Sequence, residues 1–323
     1  MTSQATSPSP TCPAEALSRR ETSRELLFAL ALALWILAYV VLSFLTAAMH
    51  EDDLGLLGGT RLLMLPLLAA VILILTTLWL LMRGVMCRWS LTAAVLGAVG
   101  CVIVNQVLHA LMSPEPGREV QTVSLFGFAN VALIGASLFI GRLIGGRVER
   151  LSWVVPIVLV VALVDCWSVF FGPTGEIVEE IIEEPARAEV GQRLLLWYPN
   201  LTPTRPEGLA VKPSFGIGDL IIGALLLEIA RRFGLRMGIT LLALAIGSLA
   251  ALVAPALIAS LHGLPGFPAL PLMGLAFIAF HWRGLEFNRR EITLCVVFLV
   301  ALFVLLITVV NPLLSRIMPG GAG

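Results

Sequence analysis

The sequence predicts an all-α membrane protein, a polytopic bundle of about nine transmembrane helices, and three observations lead to this fold class. Of the 323 residues, 58% are hydrophobic and only 13% are charged, whereas soluble domains keep about a quarter of their residues charged. The mean hydropathy is +0.96. Uncharged apolar runs of about 20 residues, each able to cross about 30 Å of hydrocarbon, recur along the chain.

The predicted spans follow one another with mostly short connections. They lie near 26–47, 61–82, 90–112, 124–143, 152–171, 215–231, 238–260, 268–282 and 291–314. A Ser/Thr/Pro-rich stretch comes before them, so we predict a disordered cytoplasmic tail at 1–25. The remainder divides into an N-terminal four-helix region, 26–150, and a second membrane region, 151–323, with a long loop at 172–214.

Arginines cluster in alternate connections, and the connections between them are acidic or mixed. They lie before the first span, after the second, and then after the fourth, sixth and eighth: Arg19, Arg20, Arg24, Arg83, Arg88, Arg142, Arg147, Arg150, Arg231, Arg232, Arg236, Arg283, Arg289 and Arg290. The positive-inside rule therefore predicts a cytoplasmic N-terminus, with the 172–214 loop outside. Within that loop, the segment 176–184 would form a helix with one apolar face and one acidic face. This pattern predicts either a helix that lies on the membrane surface or a solvated helix.

Composition also bears on partners and cofactors. The formal net charge is +0, which gives no basic surface for nucleic acid, so the expected surroundings are the lipid bilayer. The five cysteines are scattered without a CxxC pair, and the four histidines form no HExxH motif. We therefore expect neither a metal ion nor another cofactor.

Two aspartates, Asp165 and Asp219, lie in otherwise apolar spans. A charge at the bilayer centre costs about 2.5–3.5 kcal/mol on insertion scales, so each needs a partner or a hydrated cavity. The two spans run antiparallel through the long loop, which places the carboxylates roughly 10 Å and 7 Å from its side of the membrane. Such a pair can share a proton and activate water. A proton relay in a transporter and a structural hydrogen-bonded pair are the alternatives.

Two short motifs accompany the aspartates. Gly216 and Gly218 lie just before Asp219 and would let another backbone approach closely, although small residues also pack membrane helices together. Pro268, Ala269 and Leu270, followed by Pro271, begin a later span, and we expect the prolines to leave backbone groups there unpaired. The same tripeptide recurs at 255–257, but only 268–270 begins a helix after a loop.

In combination, these residues resemble the presenilin and signal peptide peptidase family of intramembrane aspartyl proteases. The resemblance covers about 153–283 and is carried by three segments, LVDCWSVFFGPTGEIVEE, AVKPSFGIGDLI and GFPALPLMGLAFIAF. It implies that Asp165 and Asp219 are the catalytic pair. It also implies that Gly216, Gly218 and Pro268–Leu270 position a substrate, which would be a transmembrane segment of another membrane protein.

The chain departs from the family pattern at two points. Val164 occupies the place where the family usually has tyrosine, and four predicted spans precede Asp165 where the family has five. We expect a prokaryotic homologue in the cytoplasmic membrane. The competing functions are a proton-coupled secondary transporter and an inactive membrane scaffold.

Five further polar side chains have expected structural roles. Asn105, Gln106, His109 and Asn130 are predicted to make helix–helix hydrogen bonds. Glu228 is predicted to form an ion pair with Arg231 or Arg232.

Overall fold

The chain folds as a helical bundle with one small sheet. The computed structural model describes residues 13–48, 59–111, 119–171, 193–199, 211–257, 268–285 and 289–313. Within them the α-helices are α1 Pro13–Ala48, α2 Gly59–Met86, α3 Leu91–Leu111, α4 Glu119–Gly145, α5 Val154–Phe171, α6 Ile217–Arg232, α7 Met237–Leu257, α8 Ala269–His281 and α9 Arg289–Leu305. A π-helical turn, Leu306–Val310, follows α9. Strands β1, Leu195–Pro199, and β2, Val211–Gly216, pair antiparallel.

Seven of these helices, α1–α5, α7 and α9, are long and apolar enough to cross a membrane. Their outer surfaces carry many exposed large apolar side chains, as on α9, where Val296, Val297 and Phe298 are all more than half exposed. Such a surface is stable in lipid and unfavourable in water. The predicted polytopic membrane bundle is thus confirmed, while α6 and α8, with 16 and 13 residues, are too short to count among the candidate spans.

Two predicted boundaries are wrong. Helix α1 begins at Pro13, so the second half of the tail predicted at 1–25 is helical; it contains strong helix formers such as Ala, Leu, Glu and Arg. Residues 215 and 216, predicted to be helical, are extended and end β2, because the chain still pairs with β1 there. The acidic segment at 176–184 lies outside the described residues.

Helix α6 occupies the centre of the bundle. Nearly all of it from Leu220 to Ala230 is buried, and it packs against α2, α4 and α7. Gly141 and Gly145 of α4 allow the closest approach, since a Cβ at Gly141 would lie 2.5 Å from the carbonyl oxygen of Ile221. Small residues spaced by four are typical of tightly packed membrane helices. This contact fixes the position of the helix that carries Asp219.

The C-terminal end of α6 carries the predicted ion pair. Glu228 is 3% exposed and accepts two hydrogen bonds from the Arg231 guanidinium, at 2.9 and 2.5 Å. The bidentate geometry neutralises the buried carboxylate. The predicted pairing of Glu228 with Arg231 is therefore confirmed, and Arg232 instead donates to the carbonyl of Gly146.

The β-hairpin is held against the helices by amide side chains. Asn130 of α4 donates to the Trp197 carbonyl at 2.5 Å and accepts from the Trp197 N–H at 3.0 Å. Asn105 of α3 donates to the Arg193 carbonyl, and Arg193 donates to Gln106. The prediction that these three amides join helix to helix is wrong, because they bond to β1 and to Arg193 before it. The backbone N–H and carbonyl groups there would otherwise be buried without a hydrogen-bond partner.

Candidate active site

Asp219 lies in the first turn of α6, directly after the hairpin. Its carboxylate accepts a hydrogen bond from the backbone N–H of Gly216 at 3.1 Å. Gly216 is extended, with φ −75° and ψ 153°, and stands at the N-cap position. An acidic side chain in the third helical position that reaches back to the N-cap amide is a common way to satisfy a free donor at a helix start. The Gly-x-Gly-Asp motif therefore forms a local turn that fixes the Asp219 carboxylate.

Asp165 lies near the end of α5 and contacts a different helix start. Its carboxylate accepts a hydrogen bond from the backbone N–H of Leu270 at 3.2 Å. Pro268 is the N-cap of α8, and Ala269 begins the helix. The first N–H groups of a helix have no partner within the helix and carry partial positive charge. Asp165 thus satisfies one of these donors from a neighbouring helix.

The prolines of this motif disturb the helix less than predicted. Pro271 lies within the first turn of α8, where its missing N–H would have had no helical partner in any case. Of the backbone groups expected to be unpaired, the Leu270 N–H is bonded to Asp165. Helix α8 is regular from Ala269 onward. The prediction that the prolines disrupt the helix is therefore wrong for the residues that follow Pro268. The second Pro-Ala-Leu, at 255–257, lies within the last turn of α7.

Helix α8 brings the two aspartates into one site. It packs against α5 on one side and against α6 and α7 on another. A Cβ at Gly274 of α8 would collide with Val158 of α5, so these two helices are in close contact. Asp165 and Asp219 are both half-buried, and Asp165 is near enough for its charge to act on Asp219. The helices that carry the two aspartates, α5 and α6, both pack against α8.

The glycines of the motif border open space. Among the described residues, a Cβ placed on Gly218 would meet nothing within 4 Å, and one on Gly216 would meet the Asp219 carboxylate and the Gly218 amide, at 3.5 and 3.9 Å. Ala269 and Leu270, in contrast, are 8% and 7% exposed. Their side chains are packed inside the bundle, so the Pro-Ala-Leu segment contributes chiefly its backbone to the site.

Comparison with known proteins identifies no relative. No family model, curated protein or solved structure matches the chain. The assignment of roles to Asp165, Asp219 and the two motifs therefore depends on their residues and on the geometry described above.

The sequence did not indicate two features that position the site. One is the Gly141–Gly145 contact with α6, which the four-residue spacing of the glycines could have suggested. The other is the strand pairing that precedes Asp219. The strand Val211–Gly216 contains Pro213 and Gly216, residue types that are depleted in strands, so its sequence gave little indication of a strand.

Proposed function

We propose that the protein is an intramembrane aspartyl endopeptidase that hydrolyses peptide bonds within transmembrane segments of other membrane proteins. The observation that supports it best is the pair of half-buried carboxylates, Asp165 and Asp219, which interact although they come from separate helices. Neighbouring acids in a poorly hydrated site hold one proton between them. That arrangement is the chemical requirement for aspartyl protease activity.

In the proposed reaction, the ionised carboxylate removes a proton from a water molecule, which attacks the scissile carbonyl carbon. The protonated carboxyl donates its hydrogen to the carbonyl oxygen, and the resulting diol intermediate collapses as the amide nitrogen accepts a proton and leaves. The pair titrates as one unit, so we assign neither role to an individual residue. The Gly216 and Leu270 amides orient the two carboxyl groups by hydrogen bonds.

The substrate must reach this pair in an extended form, because the amides of a helix are hydrogen-bonded and shielded. The open space beside Gly218 would admit a peptide backbone. Strand β2 ends at Gly216, immediately before this space. A locally unwound segment can bind there by adding a strand to the hairpin, with main-chain hydrogen bonds giving affinity.

We also propose a presenilin-like bundle in which α6 and α8 complete nine spans. The six residues of β2 and the 16 of α6 together extend about 44 Å, enough to cross a bilayer. Extended backbone at membrane depth is tolerated where protein covers it, and Leu196 and Trp197 of the paired strand are buried. The arginine pattern supports a cytoplasmic N-terminus and an external 172–214 loop.

The same contacts are compatible with a non-catalytic role, since each aspartate satisfies a helix start. A proton-coupled transporter is the other alternative, and it would need alternating access and a dependence on an ion gradient. Activity assays on reconstituted protein separate the three. A protease cleaves a transmembrane peptide without any gradient, whereas a transporter or a scaffold leaves the peptide intact.

The direct test of the dyad is catalytic interdependence. Asp165→Asn and Asp219→Asn are each expected to abolish cleavage of a reconstituted transmembrane peptide, and the double variant to be no worse, because the two acids act as one unit. Near wild-type cleavage in either single variant would show that the pair is not the catalytic group.

The test of the substrate path is Gly218→Leu. Because no atom of the described part of the chain lies within 4 Å of a Cβ there, the variant is expected to fold and insert normally but to lose cleavage, since leucine fills the proposed backbone path. Gly238→Leu is the matched control, because Gly238 is an exposed α7 glycine with equally open surroundings. Equal activity in the two variants would contradict the proposed path.

A further inference from the structure

A separate cavity lies far from the aspartates, along the face that α3 and α4 share with α1 and α2. Its volume is about 640 Å³, and its walls are almost wholly apolar. Three glycines line its two main walls, Gly97 and Gly100 of α3 and Gly135 of α4. A Cβ at Gly97 or Gly135 would collide with Phe139 or Cys101 on the facing helix, whereas a Cβ at Gly100 would meet no atom of the described residues within 4 Å. The feature is thus an apolar crevice in a surface that faces lipid.

The crevice extends along the helices toward an aromatic cluster at one end. Trp89, at the start of α3, makes edge-to-face contacts with Phe28 of α1 and Phe139 of α4, at centroid distances of 6.4 and 5.3 Å. All three rings line the cavity. The other end is bordered by Leu108 and Phe128. The lining therefore follows α3 from Trp89 to Leu108, with the aromatic rings beside the connection between α2 and α3.

Several arginines lie in the chain segments that adjoin this aromatic end. The Cys87 thiol contacts the carbonyl oxygens of Arg24 and Arg83, at 3.8 and 3.5 Å, and Arg88 adjoins both Cys87 and Trp89 in sequence. The Nε of Arg83 is buried without a hydrogen-bond partner, and its guanidinium lies 5.5 Å from the Trp79 ring. Near Cys87, Glu25 supplies a negative charge, whereas Arg24 and Arg142 supply positive ones, so the described charges at this end are net positive.

We propose that this crevice binds an anionic phospholipid from the leaflet on the arginine-bearing side. One acyl chain occupies the apolar crevice, and the arginines hold the headgroup phosphate. The walls of the crevice are almost wholly apolar, so they suit a hydrocarbon chain and not a polar group, whose burial there would be unfavourable. The site is independent of the proposed proteolysis.

Native mass spectrometry of the purified full-length protein tests the site with defined lipids. The protein is equilibrated with phosphatidylglycerol or phosphatidylcholine, and the lipid-bound fraction is titrated. We expect tighter retention of phosphatidylglycerol, by about fivefold for each arginine that contacts the headgroup. Arg83→Gln and Arg88→Gln should reduce that preference, and Gly100→Leu should remove retention of both lipids. Gly238→Leu, which places the same side chain at an open glycine outside the crevice, should bind as the wild type does.

A second measurement keeps the wild-type crevice intact. Cys101 lines the cavity, so in a protein that lacks the other four cysteines its alkylation should slow when phosphatidylglycerol is added. Equal retention of both lipids by the wild type would overturn the proposed headgroup contact. Retention unchanged by Gly100→Leu, or alkylation of Cys101 unaffected by phosphatidylglycerol, would overturn binding in the crevice.

Discussion

Replacement of Asp165 separates a catalytic role from a structural one. In the structure, the Asp165 carboxylate accepts the Leu270 N–H at 3.2 Å, and Leu270 is 7% exposed. Asp165→Ala leaves this buried donor without a partner, which costs about 1–3 kcal/mol of the free energy of unfolding. Asp165→Asn keeps a side-chain oxygen that can accept the Leu270 N–H, and it loses only the extra strength that a charged acceptor gives this hydrogen bond. The variant should therefore lower the free energy of unfolding by less than about 1 kcal/mol.

Cleavage should respond differently from stability. In the proposed dyad, neither alanine nor asparagine could carry the shared proton, so both variants are expected to have no proteolytic activity. Unfolding followed by circular dichroism in detergent gives the stability, and cleavage of a reconstituted peptide gives the activity. Val164→Ala is the control, because Val164 precedes Asp165 and its side chain is 38% exposed; it should change neither quantity appreciably.

Two results would refute this reasoning. If Asp165→Asn cleaves as the wild type does, Asp165 only satisfies the start of α8. If Asp165→Ala unfolds at the same point as Asp165→Asn, the hydrogen bond to Leu270 does not stabilise the protein, and the position of α8 must depend on other contacts.

Three further predictions concern the scaffold and its orientation. Gly141→Ala should destabilise the bundle by about 1–3 kcal/mol, because its Cβ would lie 2.5 Å from the Ile221 carbonyl oxygen; an unchanged unfolding midpoint would contradict the close contact. Asn130→Leu should free the Trp197 amide for hydrogen exchange, since both backbone groups of Trp197 bond to Asn130; continued protection would contradict that role. A cysteine at Ser214, in a background without native cysteines, should react with an impermeant thiol reagent from the outer face, and labelling only after permeabilisation would reverse the proposed orientation.

The membrane-embedded helices were predictable because their signal is local. Composition and uninterrupted apolar runs determine where a chain can span lipid, and the predicted spans coincide with helices to within a few residues over most of the chain. The start of α1 was missed because a charged helix that continues beyond the membrane lacks an apolar signal. The end of β2 was missed because strand pairing depends on a distant partner, Leu195 opposite Gly216.

The candidate site was predictable in its residues but not in its contacts. Asp165 and Asp219 stand out because charges are rare in apolar spans. The sequence could not show that Leu270 donates to Asp165, because this contact depends on the packing of α8 between α5 and α6. Nor could it show that Asn130 bonds to a strand, since an amide in a helix is equally suited to another helix.

The central claim is that the two aspartates cleave peptide bonds within the membrane, and proteolysis by the purified protein tests it most directly. Wild-type protein and Asp219→Ala are reconstituted with a model transmembrane peptide in several lipids and at several pH values, and products are identified by mass spectrometry. We expect the wild type alone to cleave within the apolar segment, and a transition-state mimic whose hydroxyl lies between the carboxylates should block this cleavage. An intact peptide under all conditions, together with no binding of the mimic, would exclude the proposed proteolysis and favour a proton relay or a scaffold.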